Sequence, residues 1–318
     1  MVDVLWECPD SFLEDNKIEK GIMQLTDLSR GAELYDLIGP AKEISGGSAA
    51  NTIAGIAHLG GQTAYVGKVK DDQLGAIFSH DLRSQGAVYE TPLAAKDHEA
   101  ETGRCIVLVT PDGERSMNTY LGVTEFLSPD DVDPAQCADA DWLYLEGYRF
   151  DGPDSVAAFD KAISACSAAG GRISLTLSDP FCVDRHREAF RKLINDHVDL
   201  LFCNRAELLS MYETDAFDTA LELAGNEVEI LACTDGVHGA HILSQGQLWH
   251  APAVAVDIVD ATGAGDLFAG AFLWGLTQGY DLETCGRMGC AGASEIISHI
   301  GARPDSDLKA LFGSMGLL

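Results

Sequence analysis

The segment Asp257–Gly275 reads DIVDATGAGDLFAGAFLWG and contains the most informative pattern of the chain. An extended apolar approach leads into a glycine-rich turn at 262–266, and apolar residues at helical spacing follow it. Gly263 and Gly265 allow the backbone to approach a ligand closely, and Asp266 falls at the start of the predicted helix. Free N–H groups and the helix dipole attract anions at such a position. The segment therefore predicts an anion site with a carboxylate beside it.

Outward from this segment, strand-like and helix-like patterns alternate along the 318 residues. Short apolar runs at 142–145, 198–203 and 229–232 predict strands that are buried on both faces. Helical patterns at Asp154–Ala169 and Arg185–Asn195 lie between them. The alternation predicts an α/β fold with a mainly parallel central sheet and helices on both sides.

Two antiparallel hairpins interrupt this alternation. Arg104–Thr110 and Glu114–Leu121 are extended runs joined by a Pro-Asp-Gly turn, and such a hairpin is typical of an edge or lid element. The pair Val237–Leu243 and Gln247–Val256 predicts the second hairpin.

The charge of the chain excludes several classes of partner. Fifty acidic residues against 21 Lys and Arg give a formal net charge of −29. Such a surface repels phosphate backbones and anionic lipids, so we expect neither a nucleic acid nor a membrane partner. Nine cysteines without a C-x-x-C pair, and no signal peptide or apolar stretch of spanning length, predict a reduced cytoplasmic protein.

Asp266 has a clear chemical use beside an anion site. It can accept a proton from a substrate hydroxyl while the N–H groups stabilise a transferring phosphoryl group. Its place at the helix terminus predicts an ionised carboxylate and hence a weak base. The alternative is that Asp266 only caps the helix.

A second glycine loop, Ser45–Gly61, reads SGGSAANTIAGIAHLGG. Gly46 and Gly47 predict a turn, Ser48 is a candidate helix cap, and the amide of Asn51 can bond substrate hydroxyls from the first helical turn. Taken alone, such a loop is more often a structural, capped helix start than a binding site.

The two loops in this order resemble those of the ribokinase-like (PfkB) carbohydrate and nucleoside kinases. The family's D-T-x-G-A-G-D motif appears here as Asp260–Asp266, and its glycine pair as Gly46 and Gly47. The resemblance implies a three-layer αβα fold with a mainly parallel central sheet and a small β-sheet lid. It also implies an ATP-dependent kinase that requires Mg²⁺.

The same resemblance implies roles for individual residues. Asp266 would be the catalytic base, with Gly263, Ala264 and Gly265 as the anion hole. Asn204 and Glu207 match the family's N-x-x-E motif near Mg²⁺, where Glu207 would act through water, although from the residues alone a cap and a solvated acid would be favoured. The implied nucleotide-binding loop contains Thr234, Gly236 and Gly239, and the implied monovalent-cation (K⁺) site contains Asp260 and Thr262.

The acceptor follows from the N-terminal segment. Residues 1–25 resemble adenosine-kinase-type members, which implies that Asp3 binds ribose hydroxyls together with Gly46, Gly47 and Asn51. We therefore predict a ribonucleoside, foremost adenosine, as the acceptor. The alternative within the family is a kinase for ribose, fructose or a keto-deoxy sugar acid.

One departure from the family concerns the start of the chain. Members usually have a full strand with a Gly-Asn pair before the aspartate, whereas this sequence begins almost at Asp3. Either the start site is misassigned or a central strand is missing, and the second case gives some weight to the alternative of a non-catalytic nucleotide- or sugar-binding regulator. The predicted organisation is a main domain of residues 26–90 and 122–318 and a lid of residues 1–25 and 91–121, with a homodimer formed through the lid.

Overall fold

The computed structural model describes all residues from 1 to 318. The thirteen strands are β1 Val2–Glu7, β2 Met23–Leu25, β3 Lys42–Ser45, β4 Ala64–Tyr65, β5 Val88–Tyr89, β6 Arg104–Val109, β7 Arg115–Tyr120, β8 Trp142–Glu146, β9 Arg172–Thr176, β10 Leu200–Asn204, β11 Ile230–Thr234, β12 Ala240–Ser244 and β13 Gln247–Ala251. The twelve α-helices are α1 Asp10–Asp15, α2 Leu28–Leu37, α3 Ser48–His58, α4 Gln73–Ser84, α5 Pro134–Ala138, α6 Ser155–Ala168, α7 Pro180–His197, α8 Arg205–Met211, α9 Phe217–Glu227, α10 Ala264–Thr277, α11 Leu282–Ile297 and α12 Leu308–Ser314.

The main sheet has six strands in the order β13-β12-β11-β10-β9-β8. Strands β8 to β11 pair in parallel, and the hairpin β12–β13 adds two antiparallel strands at one edge. The three apolar runs predicted as buried strands correspond to β8, β10 and β11. The mainly parallel sheet and the second hairpin are therefore confirmed, although both hairpin strands are shorter than predicted.

Helices cover both faces of this sheet because side chains alternate along each strand. In β10, Leu201 and Cys203 join the core formed with α6 to α9, whereas Leu200 and Phe202 join the core formed with α10 and α11. The predicted α/β architecture with helices on both sides of the sheet is confirmed.

A second sheet has five strands in the order β2-β7-β6-β1-β3. Its centre is the predicted hairpin β6–β7, in which Arg104 lies opposite Tyr120 and Val109 opposite Arg115. Strand β1 pairs in parallel with β6 and antiparallel with β3, so Asp3 is held within this sheet. The sheet also includes Lys42–Ser45, which the sequence prediction had placed in the main domain.

On the side away from its hairpin, the main sheet ends at β8. Strands β4 and β5 form a separate two-stranded sheet, and no strand pairs with the outer edge of β8. A narrow cleft lies here, with Tyr65, Val66, Tyr144 and Phe159 among its walls.

Two further observations concern the whole chain. All nine cysteines are free and buried. None of the helices combines the length and the apolarity that crossing a bilayer requires.

Candidate active site

Gly263 occupies the N-cap position of α10. This residue has a φ of +79°, and a Cβ atom there would lie 2.7 Å from the Cβ of Ala302, so both conformation and space favour glycine. The N–H groups of Gly265 and Asp266 donate to no atom of the protein, and nothing lies within 4 Å of the Cβ position at Gly265. The helix therefore presents free donors at an open surface, as anion binding requires.

The second glycine loop meets this helix end directly. The Oδ1 atom of Asp266 accepts a hydrogen bond from the Ser48 hydroxyl at 2.7 Å, and Oδ2 accepts one from the Asn51 amide at 2.9 Å. Helices α3 and α10 pack closely because Gly55 leaves room for Leu267. Ser48 was predicted to cap α3, and this is wrong, because Gly47 occupies the cap position and Ser48 binds Asp266 instead.

Burial raises the pKa of Asp266 to about 6, and the hydrogen bonds from Asn51 and Ser48 oppose this rise. The carboxylates of Glu146 and Asp3 raise the pKa further by repulsion. The sequence had predicted a weak, fully ionised base at the helix terminus. The prediction of a weak base is wrong, because loss of solvent outweighs the favourable helix end, and Asp266 is a stronger base that is still ionised at neutral pH.

This pKa predicts that the pH profile of kcat/KM has an acid limb, that is, a range of low pH in which kcat/KM falls. Because a base works only when deprotonated, kcat/KM should be largely retained at pH 7 and fall about tenfold per pH unit well below pH 6. Initial rates between pH 5 and pH 8 in buffers of constant ionic strength would measure this limb. A rate that stays constant down to pH 5 would contradict it.

Asp3 lies against the glycine pair. A Cβ atom at Gly46 would overlap the carboxylate of Asp3, so the loop approaches β1 this closely only with glycine at that position. Burial raises the pKa of the Asp3 carboxyl, and the N-terminal amine, Arg303 and Arg115 hold it down. Of the predicted acceptor residues, Asn51 binds the carboxylate of Asp266 directly, and the charge of Asp3 raises the pKa of that carboxylate.

Replacing Gly46 with alanine should therefore displace Asp3. We expect the KM for the acceptor to rise at least tenfold while the KM for ATP changes little, because the overlap is confined to the acceptor side. Steady-state kinetics with each substrate varied in turn would separate the two constants. Gly313→Ala is the matched control, because nothing lies within 4 Å of its Cβ position, and equal effects of both variants would count against this placement of Asp3.

Asn204 and Glu207 form a reciprocal helix cap at the start of α8. The Asn204 side chain accepts from the Glu207 N–H at 2.9 Å, and the Glu207 carboxylate accepts from the backbone and the amide of Asn204 at 2.9 and 2.6 Å. Glu207 is buried, and burial raises its pKa to about 7. The alternative of a solvated acid is therefore wrong, while the cap is confirmed. With a hydrogen bond from Asn204 on each of its oxygens, this carboxylate fits the predicted contact with Mg²⁺ through bound water.

The predicted nucleotide loop lies next to this cap. Thr234 ends β11 directly opposite Asn204 in the parallel ladder. Gly236 and Gly239 both have positive φ, and a Cβ atom at Gly239 would overlap the carbonyl of Ala251. The two nucleotide motifs therefore meet at the carboxyl ends of adjacent strands, where ligands bind in open parallel sheets.

Asp260 is fully engaged within the protein. Its Oδ1 atom accepts from the Thr262 N–H at 2.7 Å, its Oδ2 atom accepts from the Gly301 N–H at 3.0 Å, and it forms an ion pair with Arg115. The sequence predicts a monovalent cation beside Asp260, and in the structure the positive charge beside this carboxylate is the guanidinium of Arg115. The role of Asp260 and Thr262 in binding K⁺ stays a prediction.

Arg115 is a site residue that sequence reasoning missed. It lies on β7 of the five-stranded sheet, it is buried, and its Nη2 atom is paired with Asp260 while Nε and Nη1 have no partner. Burial lowers its pKa to about 10. The available signal was an arginine at the start of a strand otherwise free of basic residues, but nothing in the sequence said that this strand faces Asp260.

Comparisons with known proteins agree with this geometry. The family described as pfkB family carbohydrate kinase matches residues 23–309. The 5-dehydro-2-deoxygluconokinase of Shouchella clausii is 30% identical over 80% of each chain. A probable sugar kinase from Rhizobium etli has a TM-score of 0.96 and 46% identity, covering 100% of this chain and 96% of the other. The adenosine kinase of Sinorhizobium meliloti has a TM-score of 0.94 and 43% identity, covering 99% and 96%.

Proposed function

The chain belongs to the pfkB family of carbohydrate kinases, and we propose that it transfers the γ-phosphoryl group of ATP to a hydroxyl of a ribonucleoside, with adenosine as the first candidate. Kinases of this family are phosphotransferases that act on hydroxyl groups and use ATP and Mg²⁺. The proposal concerns the acceptor and the roles of the residues.

One observation carries the proposal: the Asp266 carboxylate is held between Ser48 and Asn51 at the open N terminus of α10. In this position Asp266 accepts the proton of the acceptor hydroxyl, while the N–H groups of Gly265 and Asp266 stabilise charge on the phosphoryl oxygens. When bound, Mg²⁺ neutralises part of the phosphate charge. Ser48 and Asn51 orient the carboxylate and keep it ionised.

Asp3 and Asn51 support a ribonucleoside as the acceptor. A buried carboxylate accepts hydrogen bonds and an amide both donates and accepts, so the two together suit a pair of neighbouring ring hydroxyls. Gly46 leaves the room that Asp3 occupies. The similarity to the Sinorhizobium meliloti adenosine kinase makes adenosine the first nucleoside to test.

A sugar kinase activity is the second candidate, because the Shouchella clausii relative is a 5-dehydro-2-deoxygluconokinase. Ribose, fructose and a keto-deoxy sugar acid are the acceptors to compare with adenosine. Each offers hydroxyl groups to the same base and would place them differently relative to Asp3.

A coupled assay of ADP release with ATP and Mg²⁺ tests the proposal. The panel contains adenosine, ribose, fructose and a keto-deoxy sugar acid, with ADP release in the absence of acceptor as the background. We expect the highest kcat/KM with adenosine. A higher value with a sugar would replace the nucleoside by that sugar, and no rate above background with any acceptor would reject the proposal.

A further inference from the structure

Arg303 reaches the site from the loop that follows α11. Its Nε atom donates to the Oδ1 atom of Asn51 at 3.3 Å, and its Nη1 atom donates to the side-chain oxygen of Gln85. Its Nη2 atom is buried and has no partner. The guanidinium therefore bonds to two neutral amides, one of which binds the carboxylate of Asp266.

This contact determines which way the Asn51 amide faces. A guanidinium carries only donors, so it can contact the oxygen end of the amide but not the NH₂ end. With the oxygen facing Arg303, the NH₂ group faces Asp266 and donates to it. The opposite orientation would place the amide oxygen against the carboxylate, which is favourable only when Asp266 is protonated.

Arg303 is also a cation among several acids. The charges of Asp3 on β1, Glu146 on β8 and Glu207 on α8 repel that of Asp266. The Ser48 hydroxyl and the Asn51 amide donate to the same carboxylate, and the charge of Asp266 raises the pKa of the Tyr144 phenol. Arg303 interacts with both Asp3 and Asp266, and it opposes the repulsion among these acids.

From these contacts we propose that Arg303 is a positioning residue, which locks the Asn51 amide so that its NH₂ group always faces Asp266. The inference rests on the proposed function, in which Asp266 is the base. It assigns to Arg303 the task of keeping that base ionised and correctly oriented, without direct contact with the reacting atoms.

The test compares Arg303→Met with Arg303→Lys. The methionine variant removes both the donor and the charge, so kcat/KM at pH 7 should fall about tenfold and the acid limb should move to higher pH. The lysine variant retains a donor and a charge, so it should recover most of the kcat/KM of the wild type and most of the original position of the acid limb. A change in packing alone would lower the rate without moving the limb.

A second measurement does not depend on turnover. In ¹³C-labelled protein without ATP, the carboxyl resonance of Asp266, assigned by its loss in Asp266→Asn, reports the pKa directly. We expect a higher pKa in Arg303→Met than in the wild type, and recovery in Arg303→Lys. An unchanged pKa in a folded methionine variant would overturn the inference, whereas a wild type inactive with every acceptor would reject the proposed function and leave this measurement intact.

Discussion

Replacing Asp266 with asparagine should lower kcat by about 10²- to 10⁴-fold, while the affinity for ATP stays close to that of the wild type. The reason is that an amide has nearly the shape of a carboxylate but cannot accept the proton of the acceptor hydroxyl. The free N–H groups at the start of α10 remain in place and still bind phosphate. Single-turnover rates with adenosine and ATP, together with calorimetric titration of ATP, would measure both effects.

The matched control is Asp257→Asn, which removes an exposed carboxylate from the segment that leads into the same loop. Asp257→Asn changes the net charge of the protein by the same amount as Asp266→Asn. Because the side chain of Asp257 lies outside the site, this variant should retain the rate of the wild type. If Asp266→Asn turned over at a comparable rate to this control, the assignment of the base would be wrong.

The joining of the two glycine loops shows what sequence reasoning can predict. Each loop was identified from local rules, because glycine at a strand–helix junction and a polar residue in the first helical turn have recognisable patterns. The hydrogen bonds from Ser48 and Asn51 to Asp266 bridge more than 200 residues of chain. Such contacts depend on how helices pack on the sheet, which no local pattern determines.

Burial was the second property that local patterns could not supply. Asp266 was predicted to be a weak base from its helix position, and the solvated acid at Glu207 from its charge. Both carboxylates lie in protein surroundings that raise their pKa values, to about 6 and about 7. The desolvation comes from neighbours on other elements, and only the assembled sheet brings these together.

Arg115 shows the same limit for a charged residue on the lid hairpin. The hairpin itself was predicted from its Pro-Asp-Gly turn, and its strands are confirmed. Which residue of the hairpin meets the loop at 260–266 depends on the position of β7 within the five-stranded sheet. The structure brings the guanidinium to Asp260, six residues before Asp266 in the same loop.

Replacing Arg115 with methionine should lower kcat by at least about 100-fold. Arginines that stabilise a transferring phosphoryl group contribute effects of this size or larger in other phosphotransferases. The Nη2 atom of Arg115 is paired with Asp260, whereas its Nε and Nη1 atoms have no partner within the protein, and we expect these two to bond phosphoryl oxygens. The measurement is kcat with saturating ATP and acceptor, because a loss confined to the transition state persists at saturation.

Stability must be measured alongside this rate, because methionine also leaves Asp260 buried without its counter-charge. Breaking such a pair costs about 3–5 kcal/mol in general, although the N–H groups of Thr262 and Gly301 still bind this carboxylate.

Arg115→Lys keeps the charge and separates the loss of stability from the loss of rate. This variant should approach the stability of the wild type and recover only part of kcat, since an ammonium cannot bond two phosphoryl oxygens as a planar guanidinium does. Arg104→Met, on the neighbouring strand of the same hairpin, is the control for the loss of a lid arginine. If Arg115→Met lowered the melting temperature but left kcat at the level of this control, Arg115 would only fasten the sheet to the loop and would not act on the phosphoryl group.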